Sequence, residues 1–138
     1  MLKQKKAGIK LFVVDTYALF EWLVYNNQKY KKYFEQIDNE GAYITELVLM
    51  EFYHKIFHEE GKEKAEEIFH TITTKIETIK LNAERIKKTG EKRSQMLKER
   101  KKLSYADCLN LVIAEENKAK VLTGDKEFKN LKNTEFVE

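Results

Sequence analysis

Four acidic residues stand where their side chains could do chemistry together. Asp15 directly follows the apolar run Lys10 to Val14 (KLFVV), and Asp125 follows Lys120 to Thr123 (KVLT) after one glycine. If both runs are parallel strands at the centre of a sheet, both carboxylates emerge at the same edge, where open α/β sheets bind their ligands. Glu51 sits in Leu47 to Tyr53 (LVLMEFY), where the other six residues are apolar or aromatic, so at least partial desolvation and a partner are expected. Asp107 closes Ser104-Tyr105-Ala106-Asp107, ahead of a helix that is apolar on nearly every face. Carboxylates gathered in one pocket raise one another's pKa and cannot all stay ionised unaided. A divalent cation removes that penalty, and an all-oxygen ligand set favours Mg²⁺ or Mn²⁺ over zinc. Such an ion can make hydroxide from water and stabilise an in-line displacement at phosphorus.

Each acid also has a purely structural use. Asp15 can cap a helix beginning at Thr16, and Asp125 can close an Asx turn after Gly124. Glu51 can pair with Lys55 one turn on. Ser104 and Asp107 have the spacing of a capping box. His54 and His58 are also one turn apart and near Glu51, but without the HExxH pattern they read as surface residues rather than a zinc site.

The elements that must position these acids alternate between two periods. Short apolar or alternating runs at Lys10 to Val14, Ala42 to Thr45, Ile76 to Leu81, Lys120 to Thr123 and Thr134 to Val137 suit strands. Helical spacing fills the intervals: Thr16 to Tyr25, Gln28 to Ile37 (broken by Asn39-Glu40-Gly41), Glu46 to Glu60 (ended by Gly61), Lys62 to Thr74, Ala83 to Lys102 and Ser104 to Lys118. The segment Ala83 to Lys102 is one long helix or two split near Gly90. Strands separated by helices imply parallel pairing with right-handed crossovers. The aromatics Trp22, Tyr25, Tyr30, Tyr33 and Phe34 fit core or interface packing better than base stacking.

Composition sets the frame. A chain of 138 residues that is 42% hydrophobic supports one folded domain with a core. Lys and Glu dominate a charged fraction of 36%, a pattern seen in heat-adapted proteins. The net charge of +3 is uneven. Ala83 to Lys102 holds nine basic residues against three acids, a local +6 that leaves the rest at −3. Lys92, Arg93, Lys98 and Arg100 are the candidate contacts to a polyanion, with a solvated helix face as the alternative. Cys108, the lone cysteine, lies in an apolar stretch, which suggests a core residue in a reducing compartment. No run is long enough to span a membrane, and Asp15 interrupts the one that resembles a signal peptide. A soluble cytoplasmic protein is expected.

Three segments taken together resemble the PIN domain: FVVDTYALF with Asp15 and Thr16, YITELVLMEF with Glu51, and Ser104 to Asp107 followed by VLTGDKEF with Thr123 and Asp125. The resemblance spans almost the whole chain, residues 1–138 as a single domain. It implies a three-layer α/β/α fold around a parallel sheet of about five strands. It also implies metal-dependent hydrolysis of RNA, with Asp15, Glu51, Asp107 and Asp125 as the acidic quartet on one or two Mg²⁺ or Mn²⁺ ions. Thr16 and Thr123 match the accompanying hydroxyl positions. Water attacks phosphorus in that scheme, leaving a 5′-phosphate and a 3′-hydroxyl. The chain length is similar to the VapC-type toxins of toxin–antitoxin pairs, which implies a homodimer held in check by a small antitoxin. A stand-alone PIN nuclease in RNA maturation or decay, or a non-catalytic RNA- or protein-binding PIN module, are the competing readings. The lysine-rich start and the basic segment Ala83 to Lys102 depart from the toxin pattern.

Overall fold

The computed structural model describes residues 9–138, so the lysine-rich start lies outside the described residues. Five strands, β1 (Phe12–Val14), β2 (Tyr43–Thr45), β3 (Glu77–Ile79), β4 (Lys120–Thr123) and β5 (Thr134–Phe136), make one sheet in the order β3-β2-β1-β4-β5. Every neighbouring pair is parallel. Six α-helices cover it: α1 (Thr16–Leu19), α2 (Lys31–Glu40), α3 (Glu46–Glu60), α4 (Lys62–Lys75), α5 (Ala83–Lys98) and α6 (Tyr105–Asn117). The expected three-layer arrangement is present.

The central strands β1 and β4 are buried on both faces, so their apolar side chains alternate between two cores. Phe12 and Val14 of β1 join Ile44, Leu122 and the helices α1 to α4 on one side. Val13 joins Val121 and the apolar faces of α5 and α6 on the other, where Cys108 is fully buried. The chain winds outward from β1 to β3, then crosses back through α5 and α6 to place β4 on the free side of β1. That reversal makes a crevice at the carboxyl ends of β1 and β4, the point where ligands bind in open α/β sheets. No helix among the described residues is long and apolar enough to cross a membrane.

Several boundaries differ from the sequence reading for local reasons. The second helical stretch opens as a 3₁₀ turn, Gln28–Tyr30, before α2, which runs through Asn39 to Glu40. It stops only at Gly41, whose φ of 81° suits glycine. Helix α5 passes Gly90 unbroken, the cost of about 1 kcal/mol for an internal glycine being too small to split it. It ends before Lys102 in a Schellman turn: Arg100 takes φ 61° and donates to Leu97 O at 3.0 Å, while Lys101 donates to Met96 O at 2.8 Å. After α1 the chain widens into a π-turn over Phe20–Val24, with Tyr25 N–H reaching back to Phe20 O at 2.9 Å. Tyr30 and Phe34 are buried, Trp22 stacks on Phe34, and Tyr33 meets Phe12 edge-on, so packing is their role. Tyr25 is different, with 64% of its surface exposed.

Gly124 joins β4 to Asp125 where no side chain fits. A Cβ there would collide with the Tyr30 hydroxyl, the Tyr17 ring and Val137 O. Tyr30 is buried and Val137 O is backbone, so neither moves aside cheaply. We expect Gly124→Ala to lower stability by about 1–3 kcal/mol. Denaturant unfolding checks this; an unchanged midpoint would show that the β4 turn has slack.

Candidate active site

Asp15 ends β1 with its backbone N–H on Leu122 O at 3.2 Å, and its side chain is only 5% exposed. Three donors from three elements hold the carboxylate. Thr16 N–H and the Asn110 amide donate to Oδ1 at 2.8 and 3.3 Å, and the Thr123 hydroxyl donates to Oδ2 at 2.8 Å. The Thr123 oxygen in turn accepts the Asp125 N–H at 3.0 Å, so one hydroxyl ties both strand-end acids together. Asp125 caps the 3₁₀ turn Lys126–Phe128 through Oδ1. Asp107 reaches the same place from the first turn of α6, where its capping box with Ser104 is fully formed at 3.0 and 3.1 Å.

A carboxylate oxygen from each of Asp15, Asp107 and Asp125 lies within 4.8 Å of those of the other two. They line a cavity of about 230 Å³ that also receives Thr16, Glu51, Tyr17, Glu21, Tyr25 and Lys55. Glu51 shares the cavity but not the three-acid cluster. It is also more open than the apolar run suggested: α3 turns Val48, Leu49, Phe52 and Ile56 to the core and leaves Glu51 on the exposed side. Lys55 does not pair with it; the Lys55 amine stands 5.3 Å from the centre of the Phe20 ring.

Burial and crowding weaken three of these acids, Asp15, Asp107 and Glu51. The Asp15 carboxyl is pushed up to about 7, first by burial and next by Asp107, with smaller pulls downward from Thr123 and Thr16. Asp107 is raised by burial, against its hydrogen bonds to Ser104. Glu51 is raised by burial and then by Asp107, with Lys55 opposing. The Thr16 hydroxyl and the Asn110 carbonyl oxygen are buried with no hydrogen-bond partner. Polar groups of this kind beside three crowded carboxylates fit an oxygen-liganded cation and the water around it.

Sequence reading missed Asn110, although it is the one polar residue within Cys108 to Ala114 and is fully buried. It also missed Tyr17 and Glu21, and it assigned Tyr25 to packing, whereas the ring is exposed at the cavity. His54 and His58 stack on each other and belong to no three-ligand group among the described residues. The basic candidates divide. Lys92 is tied to Glu115 at 2.6 Å, which removes it from the free contacts, and Arg93 lies over the Tyr105 ring. Lys98 and Arg100 are exposed and form no ion pair among the described residues.

The raised Asp15 pKa has a consequence for the metal-free protein. In the folded state the carboxyl keeps its proton up to about pH 7, whereas in the unfolded chain it ionises near the ordinary carboxylate pKa of about 4. Its contribution to stability is full below that pH and is lost as pH climbs to about 7. We expect thermal unfolding in EDTA to show this decline, and Asp15→Asn or added Mn²⁺ to reduce it. A decline of equal slope in Asp15→Asn would assign it to other groups.

Comparison with known proteins comes to the same place. The sequence matches the PIN domain family over residues 12–133. No curated protein matches it by sequence. Among solved structures, a chain of the VapBC2 complex of Rickettsia felis, bound to a promoter DNA fragment, is similar with a TM-score of 0.74 at 19% identity, covering 91% of this chain and 96% of that one. A chain of the DNA-bound VapBC complex of Salmonella typhimurium is similar with a TM-score of 0.76 at 15% identity, covering 92% and 96%. A VapC toxin of Mycobacterium tuberculosis described as cleaving the sarcin-ricin loop has a TM-score of 0.72 at 14% identity, covering 92% and 99%. With the family match running through both strand-end acids and the helix that carries Asp107, the chain belongs to the PIN domain family.

Proposed function

We propose that this chain is a metal-dependent ribonuclease, a single PIN-type nuclease domain serving as the toxin of a toxin–antitoxin pair. The observation that carries the nuclease reading is the convergence of Asp15, Asp107 and Asp125 in one cavity with Glu51. The toxin reading is supported by the VapBC and VapC structures that share the fold, and the RNA substrate by the relative that cleaves the sarcin-ricin loop. A small antitoxin, a homodimer and a cytoplasmic location follow from that reading.

The three aspartates would hold a Mg²⁺ or Mn²⁺ ion, which would supply Lewis-acid stabilisation of charge at the phosphate and a lowered pKa for water. The protein's own part is positional. Thr16, Asn110 and Thr123 fix the Asp15 carboxylate, and Thr123 sets Asp125 at a constant distance from it. The capping box fixes Asp107. Glu51 stands outside the cluster with a raised pKa, suited to accept the proton released as water attacks phosphorus. The exposed cations Lys98, at the end of α5, and Arg100 and Lys102, on the connection that leads into α6 and Asp107, would steer a polyanion toward the acids. Arg100 holds a left-handed backbone that glycine would adopt more easily.

Cleavage of a labelled oligoribonucleotide tests the assignment. EDTA should abolish it and Mn²⁺ restore it. Asp107→Asn should lose both cleavage and Mn²⁺ binding. Glu51→Gln should lose about 10²–10⁴ in kcat, the usual share of a general base, while Mn²⁺ affinity changes much less. Cleavage that persists in chelator would sink the mechanism, and a parallel loss of affinity in Glu51→Gln would make Glu51 a ligand instead. Replacing Lys98, Arg100 and Lys102 by Gln should weaken RNA binding and flatten its salt dependence, whereas Lys92→Gln should not. An unchanged slope in the triple variant would return this segment to a solvated surface.

A further inference from the structure

The acid cavity has a second kind of wall. Tyr17, Glu21 and Tyr25 line it from the first helical segment, and Lys55 lines it from α3. Tyr25 is 64% exposed and Tyr17 43%. Both rings keep an open side: Tyr25 meets Phe20 only at 6.3 Å with the planes tilted by 31°, and Tyr17, whose ring edge lies against Gly124, has no ring partner among the described residues. The other aromatics of this region (Phe20, Trp22, Tyr33) are packed against the core. The π-turn over Phe20–Val24 closes on Tyr25 itself, so the backbone irregularity and the open ring coincide at the cavity's edge.

Charge places the remaining parts of a ligand. The acids disfavour a second phosphate inside the cluster. Among the described residues Lys55 is the single cation lining the cavity, and it forms no ion pair with any of them. Its amine stands 5.3 Å from the centre of the Phe20 ring, the ring that Tyr25 also meets, and both residues line the same cavity. An anionic group at Lys55 and a flat aromatic group on Tyr25 match two adjoining parts of one nucleotide. A base inside a duplex has both faces stacked and its edge paired, so it cannot reach a protein ring.

We propose that Tyr17 and Tyr25 form the stacking platform for one unpaired nucleobase next to the scissile phosphate, with Lys55 holding a flanking phosphate. This rests on the ribonuclease reading and narrows it to single-stranded or looped RNA. Glu21, fixed at 2.9 Å by the Asn27 amide, faces the same space and can accept N–H donors from the edge of the stacked base.

The test uses a fluorescein-labelled oligoribonucleotide of mixed sequence, free or annealed to its complement, with wild type, Tyr25→Ala and Tyr25→Phe in Mn²⁺. Tyr25→Ala should lower kcat/KM on the free strand by about tenfold or more, chiefly through KM, while Tyr25→Phe stays close to wild type. An abasic nucleotide beside the cut should impose the same loss on wild type and no further loss on Tyr25→Ala. Mn²⁺ titrations should be alike in all three proteins. Equal kcat/KM for Tyr25→Ala and wild type, or an undiminished abasic penalty in Tyr25→Ala, would overturn the platform. If wild type cleaves no RNA, the nuclease reading fails separately. Anisotropy of the same strand then decides: affinity that depends on the Tyr25 ring supports the platform, and indifference sinks it. RNA behaviour unchanged in Tyr25→Ala, with weakened hold on a co-purifying polypeptide, would give this face to a protein partner and end the proposal.

Discussion

A carboxyl group buried at the end of the central strand governs how this molecule is put together. Taking Asp15 out of water is costly, and each hydrogen bond that offsets the cost comes from a different part of the chain. Thr16 supplies the start of α1, Asn110 the second turn of α6, and Thr123 the end of β4. The sheet order puts β4 beside β1, and α6 packs against both. Any shift of these elements would strand a buried acid. The Thr123 hydroxyl extends the constraint by accepting the Asp125 N–H, so the spacing between two acids is set by a single side chain.

The structural and chemical uses of these acids turn out to be compatible. Asp15 caps α1, Asp107 completes the box that opens α6, and Asp125 caps the last 3₁₀ turn. A capping carboxylate commits some of its lone pairs to backbone N–H groups and keeps others free. Helix N-termini also carry partial positive charge, which eases the gathering of negative groups. The same local geometry that makes an aspartate a good cap therefore also aims it, and the alternatives posed by the sequence collapse into one arrangement.

Much of this was legible in the letters. Apolar runs ending in Asp15 and Asp125 announced two strands with acids at one edge, because a strand buried on both faces must be continuously apolar. Gly61 stopped α3 and Ser104 opened α6 as read. What stayed hidden depended on contacts between distant segments. The openness of Glu51 follows from which face of α3 meets the sheet. Lys92 loses its freedom to Glu115 on α6, and Arg93 to Tyr105. The exposure of Tyr25 depends on a π-turn that helical spacing does not encode. Asn110 was readable, as a lone polar residue in an apolar helix, but its partner lies 95 residues away.

The wholly parallel sheet, with β4 returning to the flank of β1, also bears on how the protein is made. Asp15 emerges from a ribosome early, yet two of the three groups that balance it, Asn110 and Thr123, come from the last third of the chain. Until Thr123 and Asp125 have cleared the exit tunnel and β4 has docked, the acid cluster does not exist. A nascent chain thus lacks the acid cluster that the finished fold assembles, and a product truncated before β4 would never acquire it.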